Sequence, residues 1–112
     1  MSITELAKLR QVTSETLRYY DRIGLITPDY VDPQTRYRYY SIRQYEKLGT
    51  IKELRQLGMS IHDITDYFSG RNLRKSHQLL LHQLELLEEE IRKQQLLSEI
   101  LRRKLHFLSE IT

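Results

Sequence analysis

The chain of 112 residues contains no cysteine, only two prolines and only four glycines. Without thiols it forms no disulfides, so nothing points to an oxidising compartment. Its apolar runs are short and broken by charge, well under the roughly 20 apolar residues that a membrane-crossing helix needs. The opening residues, MSITELAKLR, lack the pattern of a signal peptide. A cytoplasmic protein with no membrane partner is the expectation. The four histidines, His62, His77, His82 and His106, make no ligand set, since His77 and His82 lie five apart and not on one helical face. No Ser-His-Asp arrangement, phosphate-cradling glycine loop or pair of catalytic carboxylates stands out. The expectation is therefore no metal, no cofactor and no enzyme.

What is present is unevenly spread. Lys plus Arg number 18 and Asp plus Glu 15, a net charge of +3. Residues 1–60 hold 10 basic and 7 acidic side chains, whereas residues 61–112 hold 8 of each, so the whole excess lies in the first half. Seven of the eight tyrosines fall between Tyr19 and Tyr45. A tyrosine ring can be buried while its hydroxyl meets a phosphate oxygen. Tyr20, Tyr30 and Tyr45 can also simply fill a small core, and a division of the tyrosines between core and nucleic acid is expected.

The stretch Thr13 to Ile26, TSETLRYYDRIGLI, reads as a short helix. Thr13 is its N-cap, Glu15 sits in the first turn where the dipole favours a carboxylate, and Gly24 stops it. Leu17 faces inward, and Thr16, Arg18 and Tyr19 face out. Ahead of it, Ser2-Ile3-Thr4-Glu5 fits a capping box that opens a helix through Arg10, with Gln11 and Val12 as the turn. Two short helices and a tight turn make a helix-turn-helix, the alternative being an ordinary surface helix of a small bundle.

Pro28 blocks further helix. Asp32-Pro33-Gln34-Thr35 reads as a turn, and Val31 to Tyr40 as a small hairpin, a wing whose Arg36 and Arg38 face opposite to Tyr37 and Tyr39. Ser41-Ile42-Arg43-Gln44 is a second capping box, opening a helix to about Leu57 with a buried stripe of Tyr45, Leu48, Ile51 and Leu54. Gly58 ends it, and Ser60 caps a further helix with Ile61, Ile64 and Phe68 inside. Ser69-Gly70-Arg71-Asn72 breaks the pattern. From about Leu73 to Ile111 there is neither proline nor glycine, giving roughly 58 Å of helix. A heptad runs through Leu80, Leu84, Leu87, Ile91, Gln94, Ser98, Leu101, Leu105 and Leu108. A lone helix of this kind needs a partner for its stripe. Two copies paired antiparallel, with Gln94 or Ser98 near the two-fold axis, are expected; the alternative is an intramolecular hairpin, but no turn signal divides the segment. Glu88-Glu89-Glu90 reads as a solvated coil face.

TLRYYDRIGLITP, then TRYRYYS, then KELRQLGMSIHDI and a long leucine-rich helix resemble the MerR family of bacterial transcription regulators along the whole chain. PDYVDPQTRYRYYS is most similar to the multidrug-responding branch typified by BmrR and BltR. The resemblance implies a mainly α fold: a winged helix-turn-helix with a small β wing over residues 1–70, then a long antiparallel coiled-coil helix over 71–112. It implies a homodimer on a roughly palindromic promoter operator in double-stranded DNA, with RNA polymerase on the same promoter, and activation by bending and untwisting a site whose two elements are too far apart. Ser14 and Thr16 are expected to read bases. Arg18, Tyr19, Tyr20, Tyr37 and Arg38 are expected to contact phosphates, as is Lys52 in the second helix pair, for which a solvated face is the alternative. Arg36 stands where the family usually has glycine, so either the turn is relaxed or a phosphate contact is added. Without cysteine, the thiolate and iron–sulfur sensing of other branches is excluded. Members of the multidrug branch carry an effector domain after the coil, so either this is an excised DNA-binding fragment or a short member without a separate sensor. Two other readings compete: a coiled-coil interaction module capped by the N-terminal helices, and an architectural DNA binder with little sequence preference. The operator, the regulated gene, the inducer and the sign of regulation are not legible.

Overall fold

In a computed structural model, residues 1–70 and 72–112 are described. Arg71, part of the expected break, lies outside the described residues. They form two compact units, Met1–Ser69 and Gly70–Thr112.

In the first unit, α1 (Ile3–Arg10) starts at Ser2, whose side chain and that of Glu5 make the reciprocal capping box. The helix ends where Gln11 turns left-handed, at φ 56°. α2 (Ser14–Arg22) follows, with Thr13 Oγ accepting from the Thr16 N–H at 3.0 Å. The chain leaves α2 through Gly24, whose φ of 76° suits a residue without Cβ. β1 (Tyr30–Val31) and β2 (Arg38–Tyr39) pair antiparallel, Tyr30 against Tyr39 and Val31 against Arg38. This is the expected wing. Met1 and Tyr40 exchange two bonds, the terminal ammonium donating to the Tyr40 carbonyl at 2.8 Å and the Tyr40 N–H to the Met1 carbonyl at 2.6 Å. The start of α1 is thereby pinned beside the base of the wing.

α3 (Ile42–Gln56) opens with Gln44 Oε1 accepting from the Ser41 N–H at 2.6 Å. α4 (Ile61–Ser69) opens with Ser60 Oγ accepting from the Asp63 N–H at 3.0 Å. Leu6, Leu17, Leu25, Ile26, Leu48, Ile51, Met59 and Ile64 fill the core without measurable exposure beyond 2%. They come from both helix pairs and from the segment between α2 and the wing, so α2, the segment that follows it and the second pair share one core.

The second unit is α5 (Leu73–Ile111), one helix of 39 residues capped by Asn72, whose side chain accepts from the Lys75 N–H. No described helix is long and apolar enough to cross a membrane. The mainly helical architecture with a two-stranded wing and a long final helix is the one expected.

Candidate nucleic-acid interface

α2 divides cleanly. Leu17 and Tyr20 are buried, while Arg18 and Tyr19 are exposed and Ser14 and Thr16 half-exposed. Thr16 Oγ lies 2.8 Å from Thr13 Oγ, so the cap holds the expected base reader in one orientation. Arg22 lies 5.7 Å from the centroid of the Tyr19 ring, close enough for a cation–π contact that limits where the ring can swing. Tyr20, expected on the DNA side, is only 8% exposed. Burial pushes its phenol pKa upward, with Arg55 partly offsetting this. Its ring belongs to the core because it lies on the same face of α2 as Leu17, three residues away. Tyr40 is likewise buried. Conversely, Tyr30, which the sequence allows in the core, is exposed, and Tyr45 is half-buried.

The wing is stiffened at its tip. Asp32 Oδ1 accepts from the N–H groups of Gln34 (2.8 Å) and Thr35 (3.0 Å). The Thr35 and Gln34 bonds hold the carboxyl below the usual carboxylate range. Across the turn the Arg36 N–H donates to the Asp32 carbonyl at 2.8 Å, and the Asp32 N–H to the Tyr37 carbonyl at 2.9 Å. Arg36 has a φ of 65°. The turn is therefore not relaxed: it keeps the left-handed geometry at a position where a side chain costs about 1–2 kcal/mol. Arg38 Nε donates to Asp21 Oδ2 at 3.1 Å, an ion pair from the wing to α2. Tyr37 is 65% exposed and does not pack on the body, whereas Tyr39 meets Tyr30 with ring centroids 6.1 Å apart.

Between wing and helices lies a cleft of about 380 Å³, lined by Ser2, Ile3, Thr4, Arg18, Arg36, Tyr37 and Arg38. Arg18, Arg36 and Arg38 all line it, beside the positive end of α1; no lining residue is acidic, although Arg38 is also paired with Asp21. The chemistry of such a cleft is that of an anion seat: planar guanidinium forks and a phenol hydroxyl match phosphate oxygens.

Lys52 is placed differently from Arg18 and the wing arginines. Its ammonium donates to the Arg10 carbonyl, closing one of the free carbonyls at the end of α1. Arg10 itself crosses to α3: Nε donates to the Tyr45 carbonyl at 2.9 Å and the guanidinium lies 3.6 Å from the Tyr45 ring centroid. Gly49 makes this possible, since a Cβ there would come within 2.6 Å of Arg10 Nη2. Arg10, Gly49 and Lys52 thus tie the helix-turn-helix to the second pair. Arg10 and Gly49 carry no signal in the sequence that sets them apart. Asp21 is also missed; it looks like any helix-surface carboxylate until the wing folds back on it. Asp32 was visible as a turn residue.

On α5 the apolar heptad positions Leu84, Leu87, Ile91, Leu101, Leu105 and Leu108 are 46–65% exposed within the single chain. Leu80 is half-buried, and the polar heptad positions Gln94 and Ser98 are exposed. The described residues hold no cluster of three or more potential metal ligands.

A winged helix-turn-helix with a cationic cleft beside its second helix defines the class. Within it, this chain belongs to the MerR HTH family of regulatory proteins, whose family model matches residues 1–71. The multidrug-efflux transporter 1 regulator of Bacillus subtilis (strain 168) is 36% identical over 110 residues, covering 98% of this chain and 34% of that protein. Among solved structures, the EcmrR–DNA complex in EcmrR-RPo matches with TM-score 0.67 and 31% identity, over 98% of this chain and 39% of that one. MtaN, the N-terminus of the Bacillus subtilis multidrug transporter activator, matches with TM-score 0.68 and 25% identity, over 94% and 97%. The chain spans about a third of the length of the curated relatives it matches (34%, 38% and 36%).

Proposed function

We propose that this protein is a dimeric, sequence-specific DNA-binding transcription regulator of the bacterial cytoplasm, without enzymatic activity. α2 enters the major groove with Ser14 and Thr16 toward base edges. Arg18, Tyr19, Arg36, Tyr37 and Arg38 grip the flanking phosphates, and Tyr20 supports them from the core. Lys52 acts chiefly as a strut between α1 and α3. The observation that carries this reading is the cleft lined by Arg18 from α2 and by Arg36 and Arg38 from the wing, with no acidic side chain in its lining. The similarity to a regulator resolved on DNA supports it.

α5 supplies the dimer seam through Leu80, Leu84, Leu87, Ile91, Gln94, Ser98, Leu101, Leu105 and Leu108. Covering the exposed halves of the leucines and Ile91 in two copies is worth on the order of 10 kcal/mol before the cost of association. On a promoter with over-long spacing, the paired heads would bend and untwist the duplex so that polymerase meets both elements in phase.

Replacing Arg18 with Ala tests the reading. The dimer should persist, while operator affinity falls about tenfold or more. The salt dependence should flatten by roughly 0.9 in log–log slope for each phosphate the variant no longer neutralises. Unchanged DNA affinity would sink the assignment. Selection of bound duplexes from a random pool should return a two-fold symmetric site; an unenriched pool would mean an architectural binder instead.

A further inference from the structure

The long helix carries a second pattern, in its charges. Glu88-Glu89-Glu90 and Arg102-Arg103-Lys104 lie at equal distances on either side of Leu96. From Leu84 to Leu108 the heptad seam is symmetric about the same residue: Ile91 and Leu101 are equidistant from it, and so are the two polar positions, Gln94 and Ser98. Inverting the helix through Leu96 therefore exchanges these acids for bases while setting the apolar seam residues from Leu84 to Leu108 on apolar ones.

We propose that α5 selects a second copy of itself, antiparallel and in this one register, through a charge code on both flanks of the seam; the inference rests on the dimeric reading above. In that register Gln94 of each copy faces Ser98 of the other at the two-fold axis. Glu88 follows a seam leucine, as does Arg102, so the two share one flank. Glu90 and Lys104 each precede a seam residue and share the other flank. In an antiparallel pair each flank meets its own kind, so Glu88 meets Arg102 and Glu90 meets Lys104, twice each. Flanking charges of this sort set partner choice and orientation in coiled coils.

Other arrangements break the match. In a parallel pair Glu90 meets Gln95, Leu97 meets Arg102 and Lys104 meets Ser109, with no opposite charges facing. An antiparallel pair shifted by one heptad sets Gln94 against Leu105, or Ser98 against Leu87, and leaves both acidic positions without a base. The side chains can reach these partners from the surface. Glu88, Glu90, Arg102 and Lys104 are exposed. Among the described residues no ion pair within the chain engages them. Gln94 Nε2 donates to Glu90 Oε1 of its own helix at 3.1 Å, which leaves the amide oxygen to accept from a Ser98 hydroxyl.

A charge swap tests the code in the full chain. The E88K/E90K variant places like charges at all four meeting points of its homodimer, and so does R102E/K104E. Each alone should self-associate about tenfold or more weakly than the wild type in low salt, by sedimentation. Mixed one to one, they regain four opposite-charge pairs and should form a heterodimer near wild-type affinity, counted by native mass spectrometry. The difference should shrink in 1 M salt, where the Debye length is only about 3 Å. Self-association of E88K/E90K at wild-type strength, or a mixture no tighter than either variant alone, overturns the register while leaving the dimer standing. A monomeric wild type would instead remove the dimeric reading and this inference with it.

Discussion

In Met1–Ser69 twelve apolar side chains are buried, from Leu6 to Ile64, whereas among the described residues of Gly70–Thr112 none is. The first unit closes a core within one chain, because its helices are short and turn back on one another. The second is one uninterrupted helix, and an isolated helix has no inside. Its leucines stand exposed in a regular row, which is the pattern of a surface made for another helix. The head thus closes its own core, whereas the tail leaves its apolar row for the proposed partner copy to cover.

The largest effect that would break this contrast falls on the tail. Ile91→Asp with Leu101→Asp should abolish association, weakening it by several kcal/mol, since each dimer would bury four carboxylates in its seam. The thermal transition of the head should barely move; if it collapsed together with the dimer, the two units would not be independent.

Inside the head, Arg36→Gly separates stability from recognition. Glycine relieves the left-handed strain at this residue and should steady the wing by about 1 kcal/mol, while one cation leaves the cleft. A more stable protein that binds DNA more weakly is the expected result of melting and titration.

Gly49→Ala probes the strut between the two helix pairs. Alone it drives the Arg10 guanidinium off Tyr45, and any gain in helix propensity is offset. Combined with Arg10→Ala, the same change should stabilise by up to about 1 kcal/mol, because the obstruction is gone. A double-mutant cycle by denaturant unfolding reads the coupling, and simple additivity would show that the strut carries no energy.

The smallest effect is local to the wing tip. The Asp32 carboxyl is held below its ordinary range in the folded state, so its contribution is complete above the unfolded value near 4 and is lost as pH falls through the depressed one. The amide resonances of Gln34 and Thr35 should move over that acidic window while those of α3 stay in place.

Much of the fold was legible because its signals are local. Ser2, Thr13, Ser41, Ser60, Gly24 and Pro28 mark starts and stops within a turn or two of where they act. The wing turn was legible at Asp32-Pro33-Gln34-Thr35, and the structure adds that the Asp32 side chain organises it. The tyrosines were not. Tyr20 and Tyr19 are neighbours in sequence, yet one is core and the other surface, and Tyr30 and Tyr40 divide the same way. Composition shows only that a tyrosine can do either. Lys52 was legible as a cation on a helix, and its bond to the Arg10 carbonyl was not, because the two are 42 residues apart.

The sequence by itself determined the helices, the hairpin, the placement of positive charge in the first half and the leucine row of the tail. These follow from caps, breakers and periodicity, each acting over a few residues of backbone. Only the tertiary structure decided that Arg38 reaches Asp21, that Arg10 passes through the notch at Gly49, and that Arg18, Arg36 and Arg38 open onto one cleft. The first two join residues 17 or more apart, and all three depend on how whole elements pack, which no local signal encodes.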